Sequence, residues 1–161
     1  VSAGERARQA TLISEATAAV EAGENLRARS LLVEAEELAA LPPAGESLKA
    51  ETEEALRPFA RYIDLLAQGE NERVLPDLWQ LLDEDPNDPD VRRLIADAYY
   101  NLAARSLLQG DADVASEHLQ EVLRMEPGNE EAERLARFAD TYAERDKDLL
   151  YRIYVKYLPP R

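Results

Sequence analysis

The stretch GDADVASEHLQEVLRMEPGN, Gly110 to Asn129, sets a glycine before apolar residues at helical spacing and closes them with a carboxylate and a proline. Forty-one residues earlier QGENERVLPDLWQLLDEDPND, Gln68 to Asp88, follows nearly the same plan. Superimposed, the two pair Gly69 with Gly110, Val74 with Ala115, Leu78 with Leu119, Leu81 with Val122, Leu82 with Leu123 and Pro86 with Pro127. A weaker third copy, AGENLRARSLLVEAEEL, keeps Gly23, Ala28, Leu32 and Ala35 at the same spacing. Repetition at such a period marks an architecture of stacked supersecondary units.

In each copy the glycine is expected to end one helix and turn the chain, because it accepts positive φ without a Cβ penalty. The residues after it line one face of a second helix, and the closing proline cannot continue that helix. The first arms precede the glycines: Arg8 to Ala22 with Leu12, Ala16 and Ala19; Ser47 to Gln68 with Phe59, Tyr62, Ile63 and Leu66; Asp90 to Gln109 with Leu94, Ala98, Leu102 and Leu108. These spacings are helical. Pro58 falls inside the second of these arms, where it should kink the helix or mark its true start. Pro76 falls in the early turns of the helix after it.

Residues 96 to 129, with Tyr99, Leu102, Ala103, Gly110, Ala115, Leu119, Val122 and Pro127 at the pattern positions, resemble the tetratricopeptide repeat. The resemblance covers about two thirds of the chain and is clearest in the last copy. The 41-residue offset exceeds that family's 34 by about two helical turns, which places the extra length in the first helices of the second and third units. The predicted fold is an all-α antiparallel helical-hairpin solenoid, a right-handed superhelix of about three hairpins plus a C-terminal helix. It forms a single domain over 1–161, with units at about 8–42, 47–88 and 89–129, a capping helix at 129–145 and a tyrosine-rich tail at 146–161. Asn129 is a good N-cap, with Glu130, Glu131 and Glu133 on the first turn and Ala132, Leu135, Ala136, Ala139 and Tyr142 forming one apolar face.

The composition agrees with helices: 45% apolar, 32% charged, and rich in Ala, Leu, Glu and Arg. The net charge of −14 opposes nucleic-acid and anionic-membrane binding and suits a protein or peptide partner of basic character. No apolar run reaches the roughly 20 residues of a membrane span, so no direct membrane insertion is expected. The absence of cysteine excludes disulfides and thiolate chemistry and is compatible with cytoplasm or periplasm. The start at Val1 leaves room for an upstream signal or anchor.

Catalysis lacks its usual parts, since there is no GxSxG elbow, phosphate loop or GxGxxG turn, and one histidine, His118, makes a poor metal site. No enzymatic activity, cofactor or metal is expected. DEDPNDPD, Asp83 to Asp90, alternates oxygen ligands like a calcium loop but has Asp88 where the turn glycine belongs and Leu94 where the bidentate Glu belongs. It reads as a helix end, a linker and an N-cap. The acidic runs at Glu34, Glu36 and Glu37, and at Glu51, Glu53 and Glu54, read as solvated helix surface.

The family resemblance implies a concave surface, lined by the first helices, that holds an extended peptide or helix. The matching positions are Ile13 and Thr17, then Phe59, Ile63 and Leu66, then Asp97, Tyr100 and Leu107, a mostly apolar groove. The Lys and Asn set that clamps a C-terminal carboxylate in some members is missing, with Asp97 and Ala104 at two of its positions. These positions equally suit packing against neighbouring helices or the protein's own tail.

The tail, DLLYRIYVKYLPPR, reverses the charge of the rest: its last thirteen residues hold three basic side chains and no acidic one. As a helix it gathers Leu149, Leu150, Ile153, Tyr154, Tyr157 and Leu158 on one face; as a strand it aligns Tyr151, Ile153, Val155 and Tyr157. The helix is favoured because it extends an all-α array and Asp146 or Asp148 can cap it. Leu150, Tyr151, Ile153, Tyr154 and Tyr157 have the composition of an interface, and a basic aromatic tail also suits self-association head to tail. The expected function is a non-catalytic scaffold or adaptor that helps assemble a multiprotein complex. The alternatives are a fixed structural subunit of such a complex and an accessory subunit of an enzyme.

Overall fold

The computed structural model describes residues 1–161. It is all-helical: α1 Ala3–Glu21, α2 Asn25–Leu38, α3 Pro43–Leu56, a 3-10 turn Arg57–Phe59, α4 Ala60–Ala67, α5 Asn71–Glu84, α6 Pro89–Leu108, α7 Ala112–Met125, α8 Glu130–Tyr142 and α9 Leu149–Lys156. No helix is long and apolar enough to cross a membrane.

The three repeat glycines carry the same turn. Gly23, Gly69 and Gly110 have φ of 75°, 79° and 79°. At each, the glycine N–H donates three residues back, to Val20, Leu66 and Leu107, and the next N–H donates five back, to Ala19, Leu65 and Ser106. This is the Schellman pattern, which satisfies carbonyls that the ending helix leaves open.

The chain gathers into two compact units, Val1–Arg61 and Tyr62–Arg161. Their boundary lies in the stretch 47–68 that the pattern reads as one arm. Pro58 breaks that arm into α3, the 3-10 turn and α4, because it has no N–H for the carbonyl four residues back and its ring crowds that carbonyl.

In the first unit α1 packs antiparallel to α2, and α2 packs on α3. Ala16, Ala19, Ala28, Leu32 and Leu48 form its core, with Leu12, Ala35 and Leu41 alongside. Gln9 is buried and its amide donates to the carbonyls of Ala35, Ala39 and Ala40 at 3.1, 2.7 and 3.2 Å, closing the C-terminal end of α2.

The second unit contains the hairpin α6/α7, flanked by α5 on one side and α8 on the other, with α9 packed on α6. Val74, Leu78, Leu94, Leu119, Val122 and Leu135 are fully buried at repeat-matched positions. On α6 the expected Leu108 is instead exposed, at 61%, while Ser106 and Leu107 are buried. A helix turning 100° per residue carries the buried face past position 108. Asp88 caps α6, accepting from the N–H groups of Asp90 and Val91, and Pro89 opens it, so DEDPNDPD is the helix end, linker and cap its residues suggest. Asn129 caps α8 at 2.9 Å, and all five residues of that helix's apolar face are buried.

The tail is helical, and Asp148 caps it by accepting from the Tyr151 N–H at 2.9 Å. Its buried side is Tyr151 and Val155. Most of the face that the helical reading gathers is turned outward: Leu149, Leu150, Ile153, Tyr154 and Tyr157 are exposed and Leu158 is half-buried. The Tyr151 contacts with α6 and α8 fix this rotation.

Candidate functional site

The site forms on α6, where Asp97, Tyr100 and Asn101 stand at i, i+3 and i+4 and therefore share a face. Residues 158–161 lie against them. The Arg161 backbone N–H donates to Asn101 Oδ1 at 2.7 Å, and Asn101 Nδ2 donates back to the Arg161 carbonyl at 2.9 Å. Asn101 Nδ2 also donates to Asn71 Oδ1 at 3.0 Å, which sets the orientation of the amide. Asn71 is itself buried and anchored by donating to the carbonyl of the turn glycine Gly69.

The Arg161 side chain fills a recess between three carboxylate-bearing elements. Its Nε is 3.3 Å from Asp97 on α6, and its Nη1 is 3.3 Å from Glu126, the residue that ends α7. Its central carbon is 5.2 Å from the Tyr100 ring centroid, within the range of cation–π attraction. The Tyr100 hydroxyl donates to Glu131 on α8 at 2.8 Å. Arg161 and Asp97 side chains are only 14% and 16% exposed. Asp97 also holds Arg93, one turn earlier, at 3.1 Å.

Burial pushes the Asp97 carboxyl up, against the pull of the Arg93 and Arg161 guanidinium groups. Burial and the bond to Glu131 raise Tyr100. Asp97 and Glu126 face the Arg161 guanidinium across a partly dry recess, where charge pairs gain strength over their solvated counterparts.

A tethering cluster lies beside this site. The Tyr151 hydroxyl donates to the Leu107 carbonyl at 2.5 Å. The Tyr151 ring stacks on Phe138 of α8 at 5.4 Å and meets Tyr142 edge-on at 5.0 Å. Tyr154 stacks on Phe138 at 4.3 Å from the outer side. A cavity of about 470 Å³ opens among Tyr100, Glu131, Leu135, Ile153, Tyr157 and Pro159.

Of the expected groove residues, Ile13 packs into the first unit's core, Thr17 is exposed with its hydroxyl donating to its own helix at Ile13, and Phe59 is half-buried in the 3-10 turn. Ile63 and Leu66 are half-buried on α4. Asp97 and Tyr100 come together at Arg161, and Leu107 is wholly buried under Tyr151. The α6 positions of the expected groove thus pack against the chain's own tail, as those residues equally suit. Of the tail residues, Tyr151 is 3% exposed, whereas Leu150, Ile153, Tyr154 and Tyr157 face outward.

Asn101, Glu126, Glu131 and Arg161 carry the site and none stands out in the sequence. Their one shared signal is the opposition between an acidic array and a basic tail. His118 is half-buried beside Tyr99, ring centroids 5.8 Å apart, with burial lowering its pKa. No cluster of His, Cys, Asp or Glu is arranged to hold a metal. Compared with known proteins, the chain matches no family model, no curated protein and no solved structure.

Proposed function

We propose that this chain is a non-catalytic protein-interaction module, a scaffold or adaptor built on a hairpin array resembling the tetratricopeptide repeat. The observation that carries this reading is the α6 face, where Asn101 pairs with both backbone groups of Arg161 while Asp97 and Glu126 take its side chain. A helical surface that reads backbone and side chain of an extended segment at once has the parts needed to hold a segment of another protein. The repeated Schellman turns support the array, since they set three helix ends in the same way.

A second reading, a fixed subunit of a larger complex, is favoured by the outward face of α9, where Leu149, Leu150 and Tyr157 are 69%, 72% and 73% exposed. Contiguous apolar exposure of this kind is typical of interfaces.

The full chain, immobilised in a lysate of its source, separates the two. Partners released by an excess of synthetic peptide VKYLPPR support the adaptor. Partners that resist the peptide, keep constant stoichiometry and are lost with Leu150→Glu and Ile153→Glu support the fixed subunit. Retention of no protein under either regime refutes both.

A further inference from the structure

The recess around Arg161 is more specific than a peptide-holding face requires. The guanidinium fork meets two carboxylates from two different elements, Asp97 through Nε and Glu126 through Nη1, above the Tyr100 ring. A lysine ammonium could reach one of these carboxylates but has no planar fork to span both. Around Arg161 stand three carboxyl-bearing residues, Asp97, Glu126 and Glu131; Arg93 also engages Asp97, Arg134 lies on the α8 side, and Glu131 accepts from the Tyr100 hydroxyl.

The occupying segment shows the marks of a ligand rather than of a core element. Pro159 and Pro160 are exposed, and only Leu158 and Arg161 are half-buried. It completes no apolar core, so its release gives up chiefly the polar contacts of Arg161. Two consecutive prolines hold it extended in advance, which lowers the entropy lost on docking.

We propose that this recess is an arginine-recognition site for an extended peptide, and that residues 158–161 are an occupant in cis which a partner's arginine-bearing segment displaces. The inference rests on the interaction reading above and names its ligand chemistry. A tethered occupant competes at an effective concentration of roughly millimolar. The apparent affinity for an outside peptide is reduced by the fraction of molecules whose recess is free.

The test is fluorescence anisotropy of labelled VKYLPPR against the full chain and its Arg161→Ala variant, with circular dichroism showing both equally folded. Arg161→Ala is expected to bind the peptide at least tenfold more tightly than the unaltered chain. Arg152→Ala, which removes an exposed charge from α9, should leave binding unchanged. Replacing the peptide's arginine by lysine or citrulline should weaken binding to Arg161→Ala at least tenfold, and adding Asp97→Asn with Glu126→Gln should do the same.

Equal binding by the unaltered chain and Arg161→Ala overturns the cis occupant. Equal binding of arginine and citrulline peptides overturns the arginine assignment while leaving the interaction reading intact. Absence of binding to any peptide, together with no peptide-releasable partner from the lysate, overturns both. A concentration-dependent dimer of the unaltered chain that Arg161→Ala abolishes replaces the foreign partner with a second copy.

Discussion

Replacing Tyr151 tests whether α9 is a tethered element held by one anchor. With eight residues, α9 falls below the roughly 12–15 at which isolated helices become even marginal in water. Its persistence therefore depends on Tyr151 and Val155, its buried residues. Tyr151→Phe removes the hydroxyl bond to Leu107 and leaves the ring stack. The Leu107 carbonyl keeps its bond from the Gly110 N–H, so no acceptor is stranded and the loss is about 1 kcal/mol, near fivefold in the opening equilibrium. Tyr151→Ala also removes a ring packed against Phe138 and Tyr142, and large-to-small changes of this kind cost about 3–5 kcal/mol. That exceeds what an eight-residue helix can withstand, so α9 should undock. Hydrogen exchange read by mass spectrometry should show α9 amides exchanging about fivefold faster in the Phe variant and near the unprotected rate in the Ala variant. Amides of α6 between 94 and 103 should stay protected in both. Unchanged α9 exchange in Tyr151→Ala, or equal acceleration across α6 and α7, would refute the tether.

Gly110→Ala places a side chain at φ +79° where nothing lies within 4 Å of the added carbon, so the cost is backbone strain alone. A loss of about 1–2 kcal/mol is expected, read as a lower urea midpoint with unchanged slope. Asn129→Ala removes the N-cap of α8 and should cost about 1 kcal/mol in the same assay. Two aspartates should titrate on opposite sides of the ordinary value of about 3.9. Asp148, held down by the Tyr151 N–H and then by the Tyr142 hydroxyl, contributes stability present above that value and lost as pH falls through its lowered pKa. Asp97, pushed up by burial, binds its proton more tightly when folded, so its ionisation costs stability as pH rises through its raised pKa. Carboxyl-carbon NMR checks both, and a reversed order contradicts the burial argument.

The hairpins are legible in the sequence because their signals are local. Gly23, Gly69 and Gly110 each need only their own φ, and the apolar positions after them need only helical periodicity. The break at Pro58 is legible for the same reason, although periodicity does not show that it also falls beside the boundary between two compact units. The rotation of α9 is not legible, since a short amphipathic helix offers two plausible faces and the choice is made by Phe138, Tyr142 and Leu107, between nine and 44 residues before Tyr151. The recess is hidden for a similar reason. Arg161 lies 60 residues from Asn101 and 35 from Glu126, and no spacing rule joins them. What the sequence does carry is sign: Asp97 stands at one position of the Lys and Asn set with which the resembled family clamps a carboxylate, and the charge of the tail is opposite to that of the array.

The two attachments of the tail should be unequal, and the inequality can be measured. Arg161 is held by polar contacts at the end of a segment that starts from α9, so its local concentration over the recess depends on α9 being docked. Releasing Arg161 removes no contact of Tyr151 or Val155. Arg161→Ala removes the side-chain contacts and should therefore loosen residues 159–161 while α9 stays protected from exchange. Tyr151→Ala should free both, because an undocked α9 leaves Arg161 on a flexible tether of about fifteen residues rather than five, and effective concentration falls roughly as the −3/2 power of tether length. The expected reduction is about fivefold, so Tyr151→Ala should bind labelled VKYLPPR more tightly than the unaltered chain but less tightly than Arg161→Ala. Equal binding by Tyr151→Ala and the unaltered chain would mean that the recess holds Arg161 without help from α9, and that the helix and the arginine are independent locks on the same segment.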